Sequence, residues 1–220
     1  MDCKFCGGGS WFFKLSKDGL CGDCEHLVKM DVRQRVRLIQ DHKDAAEQTL
    51  NPHSKIAKMD VVVKNLDALA GYEKRGIKTM GESAAEQRDR SQADLGRLVV
   101  NTAKGELKGV LAQVRKTSDL EAKIKLLTAF QLKLSEFKAR ADSSEDLELF
   151  ARKVRNSIYR IRLNSILETA RVIEKEGDPK QAMAMYSEAL KFLNSTDDPD
   201  SSREEHRARL EKKISSLKTS

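Results

Sequence analysis

Cys3-Lys4-Phe5-Cys6-Gly7 and Cys21-Gly22-Asp23-Cys24 hold every cysteine of the chain, as two CxxC pairs with fourteen residues between them. Each CxxC places two sulfur ligands on one turn, and the spacer is long enough to fold the second pair opposite the first. Four thiolates in two tight pairs suit a tetrahedral ion with a closed shell, so Cys3, Cys6, Cys21 and Cys24 are read as ligands of one structural zinc per chain. Competing uses of the cysteines fit less well. A disulfide framework needs an oxidising compartment, and Cys3 sits where a secretory signal segment would begin. A redox CxxC needs a βαβ setting, a ferredoxin cluster has other spacings, and catalytic zinc keeps a position open for water.

The spacer carries its own signals. Gly7 after Cys6 allows the tight knuckle turn in which backbone N–H groups point at sulfur. Ser10-Trp11-Phe12-Phe13-Lys14-Leu15 reads as a strand, Ser16-Lys17-Asp18-Gly19 as a hairpin turn, and Leu20 as the start of the return. The second pair opens a helix with Asp23 in its first turn and Leu27, Val28, Val32, Val36 and Ile39 at helical spacing. A helix N-terminus favours the thiolate form of Cys24. Four thiolates around a dication leave a charge of about −2, which Lys4, Lys14 and Lys17 are near enough in sequence to offset.

A knuckle, a hairpin and a helix bearing the second ligand pair resemble the treble-clef zinc fingers. The run from Lys14 to Cys24 is similar to short modules of this type at the front of bacterial proteins of unknown function. The likeness covers about 30 residues and implies a zinc site. It leaves the partner open, because treble clefs serve DNA, RNA and proteins alike.

The remainder reads as helix. Apolar residues make up 39% and charged residues 34%, with three prolines and 5% aromatics, a composition of helical bundles and not of sheets. The longest apolar run, Ala182 to Tyr186, cannot span a membrane. With no signal segment read at the N-terminus, a cytoplasmic protein is expected. The net charge of +7 is spread thinly: residues 121–160 hold nine basic and six acidic side chains, residues 161–220 eleven of each. The fold class is therefore mainly α, a small treble-clef module followed by an extended multi-helix body.

Four segments follow from the punctuation. Residues 1–50 form the zinc module with its long helix, ended by Asn51-Pro52. Residues 51–82 hold a helix capped by Ser54 and a hinge marked by Gly71, Gly76 and Gly81. Residues 83–162 form a helical body whose starts are marked by the capping boxes Ser83 to Glu86 and Ser118 to Glu121. A long helix from about Glu145 to Glu176 leads into residues 163–220, a helical hairpin with a final helix from Glu204 to Leu217.

In that last segment, Ala170, Gly177-Asp178, Ala182, Tyr186 and Ala189 resemble a single tetratricopeptide repeat. Thr169 stands where a large apolar residue is expected, and Pro199 comes five residues late. A microtubule-interacting-and-transport-like three-helix hairpin is equally similar. Both resemblances imply docking of helical or extended peptides, with Tyr186 filling a groove, whereas a plain helical hairpin has the same packing needs.

Two further features bear on partners. Arg152, Lys153, Arg155, Arg160 and Arg162 form the densest basic cluster, read either as a solvated face or as a contact for phosphates or an acidic partner. Trp11, Phe12 and Phe13, with Phe5, are four of the eleven aromatics, and a small hairpin has one covered face, so they are candidate partner contacts. His26, near Cys24, is superfluous as a ligand. No P-loop, HExxH, GxSxG or dinucleotide fingerprint occurs, so the chain is not expected to be an enzyme. The expected function is a zinc-binding adaptor that docks protein partners through the zinc module and the C-terminal hairpin. The alternative is a nucleic-acid binder using the zinc module and helix 152–162.

Overall fold

The computed structural model describes residues 2–8, 14–141, 144–195 and 203–218. Among these residues there are seven helices and no strand, so the chain is mainly α. In order they are α1 (Gly22–Gln48), α2 (Pro52–Glu73), α3 (Ala84–Lys116), α4 (Leu120–Lys138), α5 (Glu145–Lys175), α6 (Pro179–Ser195) and α7 (Arg203–Lys218). Residues 10–13 of the expected strand lie outside the described residues, and Lys14 and Leu15 are not in a strand.

Contacts divide the chain into two compact units. One comprises residues 1–105 and 136–144, the other residues 106–135 and 145–220, so the division falls within α3 and α4.

In the first unit, α1 and α2 pack as an antiparallel pair joined by three residues. Ile39 of α1 meets Val62, Leu66, Leu69 and Ala70 of α2, and Ala84 at the start of α3 closes this cluster. The three α2 side chains Val62, Leu66 and Leu69 are fully buried, each stabilising by roughly 1.5–3 kcal/mol. Register is set by a partly buried polar network. Arg35 donates to Asp31 at 2.6 Å and to the Asn65 carbonyl oxygen at 3.1 Å, while the Tyr72 hydroxyl donates to Asp31 at 2.8 Å.

The helix starts differ in detail from the sequence expectation. Asn51, not Ser54, caps α2: its side-chain oxygen accepts from the N–H groups of His53 and Ser54, with Pro52 in the first turn. Proline there loses only an N–H that lacks an intrahelical partner anyway, so the residues that end α1 also start α2. Asp119, not Ser118, caps α4 through the Ala122 N–H at 2.7 Å. At α3, Ser83 accepts the Glu86 N–H at a long 3.5 Å, and the stronger cap comes from elsewhere: both carboxylate oxygens of Glu73, at the end of α2, accept the Ala84 N–H at 3.0 Å.

In the second unit, Leu127, Phe130 and Leu134 of α4 are buried, as are Leu147, Phe150 and Val154 of α5. The α5–α6 turn follows its residues closely. Gly177 takes a left-handed φ of 85°, which a side chain would resist, and Asp178 caps α6 by accepting the Gln181 N–H at 2.9 Å. Ala170, Ala182 and Ala189 are fully buried where α5 and α6 meet, since small side chains permit close approach. Helix α7 packs on α6 and contributes Leu210 to the same core, with Ile214 and Leu217 partly buried against it.

Candidate metal centre

The four sulfurs of Cys3, Cys6, Cys21 and Cys24 lie within 4.8 Å of one another. Tetrahedral ligation at about 2.3 Å per sulfur requires edges of about 3.8 Å, so the cluster can hold a metal ion with small adjustments. No disulfide joins any of the four.

Local backbone geometry builds the site. In the first knuckle the Gly7 N–H donates to the Cys3 carbonyl at 2.8 Å and the Cys3 N–H to the Gly8 carbonyl at 3.1 Å. Gly7 has φ 69°, which favours glycine, and a Cβ on Gly8 would lie 3.3 Å from the Cys6 sulfur. The expected Asp18-Gly19 turn is present: the Gly19 N–H donates to the Ser16 carbonyl at 2.9 Å and the Ser16 N–H to the Leu20 carbonyl at 2.8 Å. Gly19, at φ 77°, turns its own carbonyl to the Lys4 N–H at 3.0 Å, which joins turn to knuckle. Leu20 then plugs the small core beneath the sulfurs, and α1 brings Cys24 in its first turn.

Electrostatics order the sulfurs. The backbone N–H groups of Cys6 and Cys21 stabilise the Cys3 thiolate and lower its pKa to about 6. One of these is visible as the Cys21 N–H donating to the Cys3 sulfur at 3.4 Å. Cys24 goes the other way: the neighbouring Cys21 sulfur, then burial, push its thiol up. In the metal-free cluster, close sulfurs and desolvation outweigh the helix N-terminus at Cys24. A divalent cation among the sulfurs converts this mutual repulsion into attraction.

The site is joined to α2 and the loop after it. Cys3, Leu20, Cys24 and Val28 share one core with Ile77, and Leu15, Val32 and Tyr72 pack around it. The Lys4 ammonium donates to the Gly76 carbonyl at 2.9 Å. Phe5 has its ring 6.1 Å from that of Tyr72, with the Arg75 guanidinium 5.5 Å from its centroid. The glycine-punctuated segment begins inside α2, which continues through Gly71, and its Ile77 is buried. Sequence reasoning missed these links, because Lys4 with Gly76, and Cys3 with Ile77, are too far apart in the chain to carry a mutual signal.

The other candidates are dispersed. Trp11, Phe12 and Phe13 lie outside the described residues. Tyr186 is 4% exposed, and its hydroxyl donates to Glu174 at 2.9 Å. Lys213 donates to the other Glu174 oxygen at 2.6 Å, and this ammonium, then the Tyr186 hydroxyl, hold the Glu174 carboxyl below its usual value. Arg152, Lys153, Arg155, Arg160 and Arg162 are all exposed on α5, and Arg152 and Arg155 share a surface depression with Glu145, Asp146 and Glu148. His26 is exposed and outside the metal-binding group. No described helix is long and apolar enough to cross a membrane. No protein-family model matches the chain, and no curated protein matches it.

Proposed function

We propose that the chain is a zinc-stapled, non-enzymatic interaction protein. Zinc bound by Cys3, Cys6, Cys21 and Cys24 fixes a treble-clef-like module onto α1 and α2, and the hairpin of α5 to α7 docks protein partners. The observation that carries the reading is the convergence of four sulfurs within 4.8 Å at the head of a helical chain. A closed shell of four thiolates has no position for a substrate or an activated water, so the metal's contribution is folding free energy. The module is too small to hold itself without such a staple.

The experiment is a pull-down with the intact, zinc-loaded chain, compared with a variant carrying a bulky block on the α5 face, Asn164→Trp. Loss of specific partners with the block supports docking through the hairpin. Retention of every partner contradicts it.

Nucleic-acid binding is the second reading, favoured by the exposure of the five basic residues of α5. The acidic side chains Glu145, Asp146 and Glu148 beside Arg152 and Arg155 dilute the positive field there, which weakens phosphate contact. Protein docking is the better supported of the two.

A further inference from the structure

Residues 97–140 carry almost all of the chain's net charge of +7. They hold ten basic and four acidic side chains, whereas residues 1–96 hold sixteen and fifteen and residues 141–220 fifteen of each. The expected thin spread of charge fails at this finer division. Within the second unit, residues 106–135 supply Lys108, Arg115 and Lys116 from α3 and Lys123, Lys125 and Lys133 from α4. Lys133 pairs with Glu106 at 3.4 Å, which joins the two helices. The other five side chains make neither an ion pair nor a hydrogen bond among the described residues, and all but the half-buried Lys123 are exposed. The fold's own electrostatics account for part of this arrangement. Arg115 and Lys116 end α3, where the helix dipole favours cations. Lys123 is the fourth residue of α4, near the end that favours anions, and a connection of three residues returns it toward Arg115 and Lys116. Like charges gathered without carboxylate partners call for an anion from outside the chain.

We propose that the α3–α4 hairpin rests on a membrane surface rich in anionic phospholipid. The surface uses none of the residues assigned to zinc or to partner docking, so it adds to the proposed function. On α3, Lys108, Gly109, Ala112, Gln113 and Lys116 recur at helical spacing and are all exposed. On α4, Lys125, Ala129, Leu132 and Lys133 do the same. Lys108 to Lys116 spans about 12 Å, as does Lys125 to Lys133. Neither face carries a carboxylate. Asp119 and Glu121 lie at the tip between them, and Asp119 is engaged as the α4 cap.

Leu132 decides between anions. It is 68% exposed and sits next to Lys133. A phosphodiester backbone makes no use of an apolar side chain. Bases lack a ring to stack on, because Phe130, the one aromatic of residues 106–135, is buried. A lipid surface uses both features: lysine stems carry their charges to the headgroups while the leucine enters the acyl boundary. A plane of headgroups meets the cations of two helices at once, whereas an acidic protein segment meets a few. The contact is peripheral, since no described helix is long and apolar enough to cross a membrane.

The test is flotation of the full-length, zinc-loaded chain with vesicles of phosphatidylcholine alone or mixed equally with phosphatidylserine, over a range of salt. Binding is expected to the anionic vesicles only, and to weaken steeply as salt rises. The triple variant Lys108→Gln/Lys116→Gln/Lys125→Gln is expected to bind about a hundredfold more weakly, at roughly fivefold per cation. Its circular dichroism and melting should stay at the wild-type level, because none of the three side chains is bonded within the chain. Leu132→Ser is expected to lose roughly fivefold or more at every salt concentration. Lys153→Gln/Arg155→Gln, which removes two exposed cations of α5, should bind as the wild type does. No binding to anionic vesicles, equal binding by the triple variant, or an equal loss in the α5 variant overturns the proposal. Duplex DNA, RNA or polyglutamate bound more tightly than the vesicles, and lost in the same triple variant, also overturns it and assigns the hairpin to another polyanion.

Discussion

The Lys4 ammonium reaches the carbonyl oxygen of Gly76 at 2.9 Å, joining the cysteine knuckle to the turn that follows α2. Gly76 accepts this approach because it is left-handed, at φ 72°, and because a Cβ there would stand 3.2 Å from the lysine nitrogen. The stem of the same lysine covers Gly19, where a Cβ would meet its Cε at 2.8 Å. One side chain thus spans both the turn between the cysteine pairs and the α2–α3 loop.

Gly19→Ala combines an unfavourable φ with that collision, so it is expected to destabilise the metal module by about 1–3 kcal/mol, the range for strained backbone sites. Lys4→Met removes the bond to Gly76 but keeps most of the stem, and is expected to cost about 1 kcal/mol. Chemical denaturation of the metal-loaded chain, read from amide exchange at Leu20 and Val28, measures both. A cost for Gly19→Ala no larger than for Lys4→Met would remove this role for the glycine.

Glu73 gives a pH prediction. Burial raises its carboxyl pKa, but donation from the Thr79 hydroxyl, from the backbone of Ala84 and Ala85 and from Ser83 outweighs burial and holds it below the usual value. A carboxyl lowered in the folded state stabilises fully above its unfolded pKa, about 4.3, and loses that contribution as pH falls through the folded value. Glu73→Gln is therefore expected to cost about 1–2 kcal/mol near neutral pH, as for loss of a helix cap. The gap to wild type should narrow in acid. A gap independent of pH would show that the charge is irrelevant to the cap.

The C-terminal core is expected to reject charge. Ala182 is fully buried between α5 and α6, so Ala182→Arg should unfold this hairpin, since the guanidinium is buried without a partner. Loss of helical signal at 222 nm together with protease sensitivity of residues after Lys175 would follow. A stable, soluble Ala182→Arg protein would contradict the packing described.

The exposed α5 arginines are expected to tolerate change. Reversing Lys153 and Arg155 should alter stability by less than about 1 kcal/mol, the usual range for surface substitutions, and leave binding to duplex DNA or to RNA weak at physiological salt. Sub-micromolar binding with a steep salt slope that vanishes in the double reversal would favour the nucleic-acid reading.

Much of this architecture was legible because its signals are local. The two CxxC pairs, the Asp18-Gly19 turn, the helical spacing from Val28 to Ile39 and the Gly177-Asp178 turn each rest on near neighbours in sequence, and the structure shows each in place, although Leu27, expected on the same stripe, is exposed. The caps were legible only to within a residue or a few: Asn51 and Ser54 are both good capping residues, and Pro52 decides between them by occupying the first turn. Long-range choices were not legible. Nothing in Glu73 announces that it caps a helix eleven residues later, nothing in Ile77 that it seals the sulfur core, and nothing in Lys213 that it meets Glu174. These depend on how helices pack, which no local pattern encodes.

The central claim is a structural zinc bound by four thiolates, and metal analysis of the purified chain tests it most directly. One zinc per chain is expected by mass spectrometry under native conditions, lost in Cys6→Ser and in Cys24→Ser. Stripping the metal with a chelator should unfold the segment around Cys3 to Cys24 and release Ile77, seen as rapid amide exchange there, while most of the helical signal persists. A chain that purifies without metal, yet keeps slow exchange at Leu20, Val28 and Ile77, would contradict the account.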